Sequence, residues 1–179
     1  MQVFFSEDHR LHFPQAELSE GQFVTPYERP SRVEFILRRL RERGFPAPRD
    51  PGEADMSPIR ALHDAGYLAF LETAWDEWQA AGYAGEVIAA NWPARRMNAT
   101  RPPRHVDGKV GFYALAAETA ITAGTWAAAL SSAASAQAAA RTVAQGAQAA
   151  FALRVAGRSN VVVMQTGFTG WQQDAAYRP

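Results

Sequence analysis

Hydrophobic and polar positions along the chain change period several times, and each change suggests an element. Gln2-Val-Phe-Phe5 is a short apolar run of the kind that forms a buried strand. From there to Tyr27 the chain holds Pro14 and Pro26 with no sustained period, which predicts a long loop. Pro30 suits the first turn of a helix. Val33, Ile36, Leu37 and Leu40 then fall on one face, Arg38, Arg39 and Arg41 lie outside it, and Gly44 is placed to stop the helix.

Phe45 to Pro58 reads as a Pro- and Asp-containing connector. Asp64 is a good N-cap for a second helix, in which Leu68, Leu71, Trp75 and Trp78 recur at helical spacing until Gly82. Between Val87 and Arg104 the period is lost, and NWPARRMNATRPPR carries three prolines and four arginines. Such a long irregular excursion inside a domain is commonly functional or disordered. Helical pattern returns from Val110 to Ala120, and Thr125 caps an Ala-rich helix expected to end near Gly146. Asn160-Val-Val-Val-Met164 reads as a buried strand, followed by an aperiodic tail. Strand, helices and strand in this order predict an α/β architecture with parallel pairing, helix-rich, whose two strands are too few for a complete sheet.

Composition narrows the function. At 179 residues the chain is most simply one domain, with 47% hydrophobic and 20% charged residues. Eighteen basic residues balance eighteen acidic ones, so no global field draws the protein to nucleic acid or an anionic membrane. Cysteine is absent, which excludes disulfides and thiolate metal sites. The Ala-rich stretch TWAAALSSAASAQAAARTVAQGAQAAFAL is interrupted by Ser, Gln and Arg141, so a membrane span is not expected. MQVFFSEDHR has neither a basic leader nor an apolar signal core, so a cytoplasmic protein is expected.

Candidate chemistry is sparse. His9 and His12 sit among Arg10 and Pro14 without a completing carboxylate pattern, and a hydrogen-bonding role in the loop is expected. His63-Asp64 reads as capping and packing. His105-Val-Asp107 offers two potential ligands in a loop, but catalytic zinc ordinarily takes three protein ligands and no third has recognisable spacing. There is no Gly-rich phosphate loop, GxSxG or HExxH.

Longer strings carry more information than these short motifs. VFFSEDHRLH, TPYERPSRVEFIL, HDAGYLAFLETAWDEWQAAGY, PARR and AAETAITAGTWAAALSSAASA, in order from Met1 to about Leu153, closely resemble the acetylpolyamine amidohydrolase branch of the zinc-dependent histone deacetylase family. The resemblance implies a partial arginase/deacetylase-like α/β fold over 1–153, with an inserted aromatic and Pro/Arg-rich dimerisation loop at about 72–106 and a divergent tail at 154–179. Family chemistry would be acetamide hydrolysis: zinc polarises the carbonyl and activates a water, a His pair moves protons, and a Tyr stabilises the oxyanion. The family's zinc ligands, one His and two Asp, lie after later strands.

At Leu153 the resemblance stops. The family continues into an Arg-Pro-Pro-Gly-His-His run, whereas this chain reads RVAGRSNVVVMQTGFTGWQQDAAYRP, with Asp174 as its sole Asp after Asp107. A truncated member is therefore expected, unable alone to bind catalytic zinc or to hydrolyse its substrate. The alternatives are a non-catalytic dimerisation or interaction module, and a non-functional remnant. By the resemblance, Tyr27 flanks the mouth of the active site, while Asp107 and Glu118 take the positions of acidic residues that face an acetylated polyamine. Asp107 replaces a family Glu and is shorter by one methylene. Trp75, Trp78 and Tyr83 are the candidates for a homodimer contact, since aromatic residues are enriched at interfaces.

Overall fold

Pro30 precedes, and Gly44 follows, the first helix of the computed structural model, which describes residues 2–144 except 95 and 98. The order of elements is a 3-10 helix at Glu7–Leu11, strands β1 (Glu17–Ser19) and β2 (Gln22–Val24), and helices α1 (Ser31–Glu42), α2 (Met56–Leu62), α3 (Ala65–Ala80), α4 (Val106–Tyr113) and α5 (Thr125–Ala144). The chain divides into two compact units.

One unit contains 2–7, 33–55 and 130–144 of the described residues. Among the described residues its parallel pairing is a single bridge, Phe4 with Arg49, rather than a strand over 2–5. The Phe5 amide donates to the Arg49 carbonyl at 3.1 Å and the Arg49 amide to the Val3 carbonyl at 2.9 Å. Val33, Ile36, Leu37 and Leu40 share the half-buried face of α1, as the periodicity predicts. That helix ends in a Schellman motif: the Phe45 amide reaches the Leu40 carbonyl, the Gly44 amide the Arg41 carbonyl, and Gly44 sits at φ +73°. Along α5, Ala134 and Ala138 are buried four residues apart, and the Gln137 amide group both donates to the Asp55 carbonyl and accepts from its N–H, each at 2.8 Å.

The other unit contains 8–32 and 56–129. Where the sequence predicts only loop, β1 and β2 form an antiparallel hairpin, with Ser19 opposite Gln22. Its two-residue turn places both Glu20 and Gly21 at positive φ (50° and 79°), the backbone a tight hairpin needs. Helix α2 occupies part of the expected connector, because Pro58 falls in its first turn, where proline removes no helical hydrogen bond. Helix α4 lies at 106–113 rather than 110–120; residues 120–122 are drawn instead into an antiparallel bridge between Val87 and Ile121. The core comprises Phe70, Ala74, Val87, Ala89, Val106, Val110 and Ile121.

No helix among the described residues is long and apolar enough to cross a membrane. The strand expected at Asn160–Met164 and the end of α5 near Gly146 lie outside the described residues.

Candidate functional site

Helices α3 and α4 position the side chains of interest. The Asp64 carboxylate caps α3 by accepting the Tyr67 N–H at 2.9 Å. Phe70 and Ala74, four residues apart, form the buried stripe of α3; Leu71, Trp75 and Trp78 pack beside them. Phe70 stacks on Tyr113 of α4 with ring centroids 5.0 Å apart. An ion pair from the Lys109 Nζ to the Glu77 carboxylate, at 2.6 Å, joins the same two helices. That hydrogen bond, with a smaller one from Thr73, holds the Glu77 carboxyl below its ordinary range.

Two glycines let α4 pack closely against the irregular segment before it. A Cβ on Gly111 would fall on the Asn91 carbonyl, and one on Gly108 would crowd the Pro103 ring. The 90–92 backbone therefore crosses α4 directly, and Trp92 lies outside with its indole N–H donating to the Ala114 carbonyl at 3.0 Å.

At its C-terminal end α3 closes on Gly82, φ +79°. The Gly82 amide donates to the Gln79 carbonyl at 3.0 Å and the Tyr83 amide to the Trp78 carbonyl at 3.3 Å. Tyr83 lies against Trp78 with centroids 4.3 Å apart, and its ring stands perpendicular to that of His105 at 6.1 Å and 88°. His105 is the residue before α4, where its side chain makes no capping bond; its Nδ1 instead meets Asp107 Oδ1 at 2.7 Å. The Gly108 amide donates to the same oxygen at 2.7 Å. These two bonds, the histidine's first, depress the Asp107 carboxyl pKa. Asp107 thus occupies the first turn of a helix, not a loop, where a negative charge also suits the helix dipole.

The other two candidate substrate-facing residues lie apart from this cluster. Tyr27 is 77% exposed, with its backbone N–H given to the buried Glu17 carboxylate at 3.1 Å. Glu118 is exposed in the turn after α4 rather than on a helix. Among the described residues no hydrogen bond or ion pair joins Tyr27, Asp107 and Glu118. Of the three aromatics expected at a dimer contact, Trp75 and Trp78 are partly buried against the core, and Tyr83 is 36% exposed.

Residues the sequence did not single out also organise this unit. Glu86 accepts the Gln15 N–H at 2.5 Å, and Glu17 holds Tyr27; a lone glutamate in a loop gives no periodic signal of either role. His12, expected in a hydrogen-bonding role, meets the Thr125 hydroxyl at 2.8 Å. Thr125 opens α5 and also accepts the Thr122 N–H at 2.8 Å. Burial lowers the His12 pKa against the opposing fields of Glu28 and Glu86.

Zinc chemistry needs three converging His, Asp or Glu donors. Among the described residues no three His, Cys, Asp or Glu side chains gather in a group that could hold a metal ion, and residues 145–179 contain no His or Glu and only Asp174. The donors among the described residues do not fit a catalytic zinc.

Comparison with known proteins gives a consistent set of likenesses. The family model described as the histone deacetylase domain matches residues 26–158. An acetylpolyamine amidohydrolase of Mycoplana ramosa is 50% identical over 153 residues, covering 86% of this chain and 45% of that protein. Acetylpolyamine amidohydrolase 2 of Pseudomonas aeruginosa is 39% identical over 153 residues, covering 86% and 44%. The crystal structure of an acetylpolyamine aminohydrolase from Burkholderia pseudomallei superimposes with a TM-score of 0.72 at 37% identity, over 86% of this chain and 44% of that one. This chain spans less than half the length of the curated relatives it matches.

Proposed function

The chain belongs to the histone deacetylase family, with part of the arginase/deacetylase fold, and on that premise we propose that it carries the substrate-facing portion of a domain that hydrolyses acetylated polyamines. The observation that supports this reading above others is the 50% identity over 153 residues to an acetylpolyamine amidohydrolase. Residues 1–153 are the family portion, about 72–106 its inserted loop, and 154–179 a divergent tail. Asp107 is the carboxylate that draws in the cationic polyamine, with Glu118 a second acidic group and Tyr27 an aromatic at the mouth. A carboxylate kept ionised and half-exposed serves that role because it raises the local concentration of a polycation.

In the full domain zinc would polarise the acetamide carbonyl, and by the resemblance its ligands and the paired catalytic histidines would lie after the point where this chain diverges. The chain by itself is therefore catalytically silent. Purified protein incubated with acetylputrescine and zinc should give no turnover. Turnover that disappears on chelation would overturn this reading.

A second reading, a non-catalytic self-associating module, draws on the exposed apolar side chains of Tyr83, Trp92, Met97 and Leu115. In either case the protein is placed in the cytoplasm and forms a homodimer through the 72–106 segment, with Tyr83 as the accessible member of the Trp75, Trp78 and Tyr83 group. Sedimentation of a Tyr83→Ser variant tests the contact: the dimer should weaken, and unchanged assembly would remove Tyr83 from it.

A further inference from the structure

Tyr27 combines an exposed side chain with a backbone held on both sides. The residue is 77% exposed, yet its N–H donates to Glu17 Oε2 at 3.1 Å and its carbonyl accepts the Arg29 N–H at 3.1 Å. Pro26, just before it, is buried, and its ring fixes φ there. Glu17 is only 7% exposed, in strand β1 opposite Val24. A carboxylic acid is a costly side chain to bury, and an apolar residue would suit that position better if packing were its only task. From this geometry we infer that Glu17 is a positioning residue: it fixes the backbone of Tyr27 so that the aromatic ring is presented in advance to the cationic chain of an acetylated polyamine. The inference rests on the reading of Tyr27 as an aromatic at the mouth of the site.

The anchor of Tyr27 reaches back to the core. Glu17 stands on a strand whose lead-in is itself fixed, because the Gln15 and Ala16 amides both donate to the Glu86 carboxylate. Glu86 precedes Val87, which is fully buried and joined to Ile121 by two 3.0 Å backbone hydrogen bonds. All of these residues belong to one compact unit. Two glutamates thus carry the position of a core residue outward, Glu86 to the start of β1 and Glu17 from β1 to Tyr27.

What this arrangement supplies is order that exists before the ligand arrives. A tyrosine ring attracts an ammonium group through its face. A loop ordered only on binding loses part of that attraction to the freezing of its own backbone, and a loop held beforehand does not. Glu17 acts through the Tyr27 amide and makes no contact with the ligand itself.

The test uses the full 179-residue chain and acetylputrescine as the probe, titrated calorimetrically. Tyr27→Ala is expected to weaken binding roughly fivefold. Glu17→Met, similar in length but without an oxygen acceptor, should weaken it roughly threefold. Glu17→Gln, whose amide oxygen accepts the same N–H, should restore it. In a Tyr27→Ala background Glu17→Met should change nothing further, because its effect passes through that one side chain. Unchanged binding in Glu17→Met, or an equal loss in the two backgrounds, would reject the role of Glu17 while leaving the Tyr27 reading intact. Unchanged binding in Tyr27→Ala, or no binding by the parent chain, would reject the Tyr27 reading and this inference with it. A measurement on the unmutated chain guards against misfolded variants: the Tyr27 amide should be protected from hydrogen exchange before any ligand is added. Exchange at the rate of an unprotected amide overturns the proposal.

Discussion

Trp78 and Tyr83 finish helix α3 as a pair, joined through the backbone by a 3.3 Å hydrogen bond and through their rings at 4.3 Å. Trp78 also packs on the core, and its buried indole N–H has no acceptor among the described residues. Trp78→Ala should therefore destabilise the protein by about 2–3 kcal/mol, read as a lower midpoint in denaturant unfolding. Trp78→Phe should be far milder, because it keeps ring packing and removes an unpaired donor.

Gly111 and Gly82 make a contrasting pair. A methyl group at Gly111 meets the Asn91 carbonyl, so Gly111→Ala must push apart α4 and the 90–92 backbone, at ~3 kcal/mol or more. Gly82 faces open space but sits at φ +79°, so Gly82→Ala meets only backbone strain, about 1 kcal/mol. Thermal melts of the two variants should rank in that order.

The Lys109–Glu77 pair is partly shielded, with side chains 25% and 34% exposed. Lys109→Met should lower stability by about 1 kcal/mol near neutral pH. Glu77 has a depressed pKa, so its contribution is present above the ordinary glutamate range and is lost as pH falls through the folded value. Unfolding curves of parent and variant should thus converge in acid; a constant gap would show that the ion pair is not its source.

His12 is lowered chiefly by burial, which means the unfolded chain takes up a proton before the folded one does. Stability held above the ordinary histidine pKa should fall as pH drops through that value toward the folded one. Glu28 and Glu86 oppose the shift and limit its size. Melting temperature measured between about pH 8 and 5 should decline, and His12→Asn should flatten the decline.

Local chemistry made several of these features legible in the sequence. Asp64 as a cap, Gly44 and Gly82 as stops, and Thr125 at the head of α5 each follow from one residue acting on its neighbours. The hairpin did not show, because its turn uses Glu20 at positive φ, a conformation that glutamate rarely advertises. Helix α4 starts four residues before its pattern predicts, and the place of Gly108 and Gly111 in it, a close backbone passage, depends on residues 91 and 103. The candidate site behaves in the same way. Asp107 and His105 are two residues apart in sequence, yet the support of His105 by Tyr83 comes from the end of another helix.

The bridge between Val87 and Ile121 has an evolutionary consequence. Two 3.0 Å backbone hydrogen bonds tie the base of the segment between them, and Gly111 presses its middle against Asn91. Lengthening a loop whose ends are already held adds only about 0.6 kcal/mol per doubling of length. At exposed positions such as 101–102 that segment can therefore be lengthened at little thermodynamic penalty, whereas Trp92, bonded to Ala114, and Pro103, packed on Gly108, stay tied to their neighbours. Descendants of this scaffold have room to vary the loop ahead of α4 independently of the charge in its first turn.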